Sequence, residues 1–191
     1  MKKRRTALFA FLLTAAVSMG IGFAALSDSF TINGELGANV NNNNLIVVFD
    51  GETAVTPEVS ETQAFCSFAT DAGAAAIDGK TTCELNFSGL STKGDTAHAH
   101  LRVENRSTQF AGDELDATLS APTVDYKSVD QSMFKITATW ENEGNLKLEP
   151  MEKEGATNYS NVICVKVELL TTPTASVTST GFTVSFQALT A

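Results

Sequence analysis

The sequence predicts an all-β protein: a single jelly-roll-like antiparallel β-sandwich with a short helical insertion. Two observations indicate this fold class. Beyond the first 25 residues, apolar side chains recur at every second position, and β-branched and aromatic residues fill those positions. Turn signals rich in Gly, Asp and Asn separate about nine such segments, which is typical of a sandwich or jelly roll.

The clearest strand covers residues 132–141, which alternate strictly between apolar and polar side chains. The predicted core face carries Phe134, Ile136, Ala138 and Trp140. The same alternation predicts long strands over 163–169 and 182–188. Shorter candidates cover 30–36, 45–49, 64–69, 82–87, 97–104 and 114–120. A helix is suggested only by the alanine-rich residues 71–77, over at most two turns.

An export signal is predicted at the N-terminus. Basic residues fill positions 2–5, and an acid-free apolar stretch follows over 7–25, ending in small residues. We place the cleavage between Ala25 and Leu26. The alternative is an uncleaved membrane anchor, because the stretch approaches the ~20 apolar residues of a spanning helix, although its late glycines disfavour a continuous helix. The predicted divisions are a signal peptide (1–25), an N-terminal strand with an Asn-rich hinge (26–44) and a β-sandwich domain (45–191).

The predicted mature chain is strongly acidic. The full sequence has a formal net charge of −9, and removing the signal takes away four basic residues and no acidic ones, which leaves −13. Such a surface repels the phosphate backbone of nucleic acid. We therefore expect no nucleic-acid partner, and we predict a secreted protein of the cell surface or extracellular matrix.

The chain has three cysteines, an odd number for an exported protein. Cys66 and Cys83 flank a loop rich in Gly, Ala and Asp, and bridging that loop would remove about 3 kcal/mol of unfolded-chain entropy. We therefore predict a candidate disulfide between them. Cys164 lies in a strongly apolar strand, where an unreactive, partly covered thiol is expected.

Three blocks of sequence resemble the TasA/camelysin family. They are GFAALSD at 22–28 followed by FTINGEL at 30–36; LNFSGL at 85–90 with Gly-Asp at 94–95 and AHLRVEN at 99–105; and GFTVSFQA at 181–188. The middle block lacks the proline that the family carries at its turn. Each block alone is weakly specific, but their order and spacing sample both ends and the middle of the chain.

The resemblance implies a jelly-roll subunit of extracellular fibres in a biofilm matrix, released by a SipW-type signal peptidase. Its partners would be further copies of itself or related matrix subunits. Assembly would proceed by donor-strand complementation, in which the mature N-terminal strand completes the sheet of the next subunit. The candidate donor residues are Phe30, Ile32 and Leu36. Pairing of this strand within its own domain is the competing expectation.

No catalytic, metal or cofactor site is expected. The resemblance includes camelysin, which is regarded as a metalloprotease, but a zinc hydrolase needs about three protein ligands and a general base. The chain has only two histidines, His98 and His100, which a strand would place on one wet face together with Arg102 and Glu104. The leading prediction remains the function that the resemblance implies, a structural fibre subunit. The alternative is a monomeric surface-associated binding or adhesin module, with a metalloprotease a distant third.

Overall fold

The computed structural model describes residues 30–40, 45–51, 64–68, 77–108, 115–172 and 181–190. Across these ranges the chain forms two packed β-sheets, which confirms the predicted all-β sandwich. The strands are β1 (Phe30–Val40), β2 (Val47–Phe49), β3 (Phe65–Phe68), β4 (Thr82–Leu90), β5 (Thr96–Asn105), β6 (Ala117–Leu119), β7 (Thr123–Asp125), β8 (Phe134–Trp140), β9 (Lys147–Leu148), β10 (Ser160–Leu169) and β11 (Phe182–Thr190).

The two sheets share one hydrophobic core. The larger sheet has the order β3-β4-β1-β11-β6-β9, with β7 also paired to β11, and the smaller has the order β2-β5-β10-β8. Phe186 of the larger sheet meets Phe49 and Trp140 of the smaller sheet edge-on, with ring centroids 6.4 and 4.9 Å apart. Edge-to-face contacts of this kind stabilise a core beyond simple area burial. The aromatic cluster therefore joins the sheets.

The alternation seen in the sequence places the core correctly. In β10 every second residue from Asn161 to Leu169 is buried, and the residues between them are half-buried. In β5 the buried face includes the predicted residues, Ala97, Ala99, Leu101 and Val103. A period of two is what a strand with one face on a core produces.

Strand β1 differs from the prediction in direction and length. It is antiparallel to β4 but parallel to β11, with Gly34 opposite Phe182 and Val40 opposite Ala188. Every other described pair of strands is antiparallel. Because no short turn joins β1 to either neighbour, no hairpin fixes its direction. The strand also extends beyond the predicted 30–36 and runs through Asn39, within the segment for which an N-terminal strand and an Asn-rich hinge are predicted.

Two strands escaped prediction, β7 and β9, because two or three residues are too few to display a period. Of the predicted helical insertion at 71–77, all but Ile77 lies outside the described residues, and Ile77 begins a turn. Among the residues that the structure describes, no helix is long and apolar enough to span a membrane.

The predicted Gly-Asp turn carries the chain from one sheet to the other. The Asp95 carboxylate accepts hydrogen bonds from the backbone N–H groups of Ser91 and Thr92, both at 2.8 Å. Gly94 has φ +94°, a conformation that side-chain-bearing residues rarely adopt. A further hydrogen bond, from the N–H of Leu169 to the Asp95 carbonyl at 2.9 Å, ties the turn to β10.

A buried polar network closes the opposite end of β5. The Asn105 side chain is fully buried and donates to the carbonyls of Leu115 and Leu148 at 2.8 and 3.0 Å. Its oxygen accepts from the Ser107 N–H and hydroxyl at 3.1 and 2.6 Å. The Ser107 hydroxyl in turn accepts from the Ile46 N–H at 2.8 Å. One asparagine thus links β5 of the smaller sheet to β9 of the larger sheet and, through Ser107, to the residue before β2.

Arg106 gathers three carboxylates beside that network. Its guanidinium lies 2.7 Å from Asp78, 3.1 Å from Glu104 and 3.4 Å from Asp50. The expectation that Glu104 continues a wet face with Arg102 is wrong, because the Glu104 side chain is nearly buried under this guanidinium while Arg102 is exposed. The ion pairs fasten the 77–80 turn to β2 and β5.

Candidate functional site

The candidate donor strand lies in the middle of the larger sheet of its own domain. Across β4, Phe30 pairs with Leu90, Ile32 with Phe87 and Leu36 with Cys83. These three partners are buried. Phe30, Ile32 and Leu36 of β1 therefore lie opposite residues of β4 that belong to the hydrophobic core.

The two neighbours of β1 are far apart in the sequence. β4 ends at Leu90 and β11 begins at Phe182, and among the described strands these two are joined only through β1. We call the space between Thr82–Leu90 and Phe182–Thr190 the β1 slot. A strand in this slot forms backbone hydrogen bonds with both sides, so a departing strand would leave two open edges. The predicted cleavage residues, Ala25 and Leu26, lie outside the described residues.

The predicted disulfide between Cys66 and Cys83 is absent, since both thiols are free and buried. The strand register explains the error. Cys66 of β3 lies opposite Phe87, four residues along β4 from Cys83. That offset corresponds to about 14 Å at ~3.4 Å per residue, whereas a disulfide needs Cα atoms within ~7 Å.

Neither thiol is activated. Burial raises the pKa of Cys66 to about 12. Burial, and then the nearby charges of Cys66 and Glu84, raises the pKa of Cys83 to about 12. Because the thiolate is the reactive form, both side chains behave as small core hydrophobes.

Of the three cysteines, only the half-buried Cys164 should be alkylated by iodoacetamide at pH 8 in the native protein, and slowly, because partial burial raises its pKa as well. Cys66 and Cys83 should react about a thousandfold more slowly than an ordinary thiol, because their pKa values lie about three units higher. Mass spectrometry of native and denatured samples, both without reductant, measures this. A Cys164→Ser control should remain unlabelled until it is denatured. A requirement for reductant before Cys66 and Cys83 take up label would contradict the free-thiol arrangement.

The two histidines and the third cysteine lie on the outer face of the smaller sheet. His98 and His100 are half-buried, and their rings are nearly parallel with centroids 6.5 Å apart. Cys164 is the cross-strand partner of His100, and its Sγ lies 3.1 Å from Nδ1 of that ring. The sequence missed this contact because 64 residues separate the two side chains.

The cysteine and histidine do not form an activated pair. Partial burial, and less strongly the charge of Glu141, raises the pKa of Cys164, so the thiol form dominates near neutral pH. A nucleophilic cysteine needs the opposite shift. Within the described part of the chain, no group of three or more His, Cys, Asp or Glu side chains is arranged to hold a metal ion. The partly covered Cys164 agrees with the prediction made for it.

Comparison with known proteins adds no family assignment. No protein-family model matches the chain, and no curated protein matches it.

Proposed function

We propose that the chain is a secreted structural subunit of extracellular fibres, which assembles by exchange of its mature N-terminal strand. The observation that carries the proposal is the position of β1 between β4 and β11. The strand is the first of the described strands, and its partners belong to distant parts of the chain. It can therefore leave without breaking any other described strand pair.

Exchange between copies is energetically inexpensive. A β1 strand from another copy has the same sequence and would form the same pairs with β4 and β11, so the incoming strand restores every hydrogen bond that the departing one broke. The β1 slot left open presents backbone N–H and C=O groups on both sides, which favours occupation. Each subunit would then donate one strand and accept one, and the fibre grows whenever the series of subunits does not close on itself.

The predicted hinge between β1 and the rest of the domain is the asparagine run at 41–44, which lies outside the described residues. Asparagine tolerates turn and left-handed conformations well. Four residues extend to at most about 14 Å, so donor and acceptor domains would lie close together in the fibre. The resemblance to the TasA/camelysin family agrees with this assembly. It suggests other copies or related matrix subunits as partners, and a SipW-type peptidase as the processing enzyme.

A cross-strand lock tests the proposal. Gly37 of β1 lies opposite Thr82 of β4, and a Cβ atom added at Gly37 would lie 3.7 Å from the Thr82 Cγ2. The double variant Gly37→Cys/Thr82→Cys should form a disulfide that holds β1 in its own slot. The buried Cys66 and Cys83 remain protonated and should not interfere. Cys164→Ser is introduced into the double variant and into the parent protein, so that the remaining thiol is absent from both.

We expect the oxidised lock to stay monomeric by sedimentation and electron microscopy under conditions in which the parent forms fibres, and we expect reduction to restore growth. The matched control is Gly37→Ser/Thr82→Ser, which should assemble in both redox conditions. A chain starting at Asn41 should not grow alone, but should accept a synthetic 26–40 peptide. If the oxidised double-cysteine variant formed fibres, that result would contradict assembly by strand exchange. A parent that is monomeric in all conditions, including beside a related subunit, would favour the alternative of a monomeric binding or adhesin module.

A further inference from the structure

Within the described part of the chain, the outer edge of β8 is open at one end. β8 is the last described strand of the smaller sheet and pairs with β10 on one side. The N–H of Glu141 bonds the Val162 carbonyl at 2.8 Å on that side. Since the backbone groups of an antiparallel pair alternate in direction, Ile136, Ala138 and Trp140 direct theirs away from β10.

Tyr126 closes the first of these positions. Its hydroxyl accepts a hydrogen bond from the Ile136 N–H at 3.0 Å and donates one to the Ile136 carbonyl at 3.1 Å. Among the described residues, none bonds the outward backbone groups of Ala138 or Trp140. Two consecutive outward positions thus retain their hydrogen-bonding capacity.

A cavity lies beside those two positions. It has a volume of about 380 Å³ and is lined by Ala121, Pro122 and Leu146 together with Ala138, Trp140 and Glu143. Ala138 belongs to the core-facing row of β8, where the other members are the buried Phe134, Ile136 and Trp140. A methyl group in a row of large side chains leaves space, so this alanine opens the cavity.

The lining sets the chemistry of the occupant. The lining residues are apolar apart from Thr139 and Glu143, and Glu141 is exposed just after the end of the strand. An open strand edge binds the backbone of an extended peptide, and an adjacent pocket binds every second side chain of that peptide. Carboxylates beside the edge favour a peptide with cationic side chains. The full chain has a formal net charge of −9, so a second copy of it complements the two glutamates less well than a basic segment does.

We propose that the outer edge of β8 binds an extended, basic peptide segment of a partner protein by strand addition. The segment bonds the N–H and C=O groups of Ala138 and Trp140, inserts an apolar side chain into the cavity and places a Lys or Arg beside Glu143. This surface belongs to the smaller sheet, whereas the β1 slot belongs to the larger one. Peptide binding is therefore separate from fibre growth, and either can fail alone.

The test uses the full mature chain and a fluorescein-labelled octapeptide of alternating Val and Lys, with binding measured by fluorescence anisotropy. We expect saturable binding that Ala138→Pro weakens at least tenfold. Proline removes the outward N–H, while the β10 side of the strand keeps its hydrogen bonds. Ala138→Leu, which fills the cavity, and Glu143→Lys should each weaken binding at least fivefold. Thr137→Ala, on the opposite face of the same strand, should bind as the parent does.

A second peptide separates strand addition from charge attraction. The same octapeptide with alternate backbone amides methylated keeps its charge and loses its donors, and it should bind at least tenfold more weakly. Equal binding of the two peptides, or an unchanged affinity in both Ala138 variants, would overturn the proposal. So would a dimer in sedimentation that Ala138→Pro abolishes without any peptide binding, because that result assigns the edge to a second copy. Circular dichroism of each variant verifies that the sandwich is intact.

Discussion

Replacing Asn105 with alanine should lower the free energy of unfolding by about 4 kcal/mol, a loss that few single substitutions cause. The substitution removes four hydrogen bonds in a place without solvent access and leaves the carbonyls of Leu115 and Leu148 and both Ser107 groups short of a partner. Each buried group left without a partner costs about 1–3 kcal/mol. Urea denaturation followed by the fluorescence of the single tryptophan, Trp140, measures the change.

Two further variants test whether the loss of stability comes from the buried hydrogen bonds of Asn105 or from the loss of any amide side chain. Asn142→Ala, at an exposed position, should change the free energy of unfolding by less than about 0.5 kcal/mol. Asn105→Asp keeps the oxygen that accepts from Ser107 and loses the two donated bonds, while it adds a buried charge, so it should be at least as destabilising as alanine. A loss below about 1 kcal/mol for Asn105→Ala would show that solvent replaces the missing partners.

The second large effect is expected for Phe186→Ala, with a loss of about 3–5 kcal/mol. Phe186 is 2% exposed, and its ring packs edge-on against Phe49 and Trp140 of the other sheet. Alanine would leave a cavity between the sheets and remove both aromatic contacts. Urea denaturation gives the loss, and the tryptophan emission of the native state should also shift because Trp140 loses its nearest ring.

Phe186→Leu serves as the matched control, because it fills most of the volume without the aromatic ring. A loss of about 1–2 kcal/mol is expected for it. Equal losses for alanine and leucine would mean that the ring contacts matter more than the volume, and would contradict the cavity account.

The features of the fold that depend on local pattern could be predicted from the sequence. The alternation in β8 and β10 identified their buried faces, and the Gly-Asp turn at 94–95 was predicted where the Asp95 carboxylate accepts two backbone N–H groups. These predictions are correct because the period of a strand and the chemistry of a turn depend on only a few neighbouring residues.

The features that failed depend on register between distant strands. Nothing in the sequence near Cys66 reveals that β4 carries Phe87, not Cys83, opposite it. Likewise, the contact of Cys164 with His100 arises from the β5 and β10 pairing alone. Asn105 is the last residue of a strand of ordinary appearance, so its burial is visible only once three segments converge on it. Ala138 belongs to the predicted core row, and the sequence does not show that its small side chain leaves a cavity beside the outer edge of β8.

The arrangement of β1 also fixes an order of events during folding. β1 is the first of the described strands, yet one of its two neighbours, β11, is the last of them, about 150 residues later. Contacts so distant in sequence form slowly, because a long loop must close first. Until β11 arrives, β1 has a partner on one side at most. Under the proposed strand exchange, a newly synthesised copy therefore passes through a stage in which its own β1 and the β1 of a neighbour compete for the same site, and local protein concentration sets the outcome.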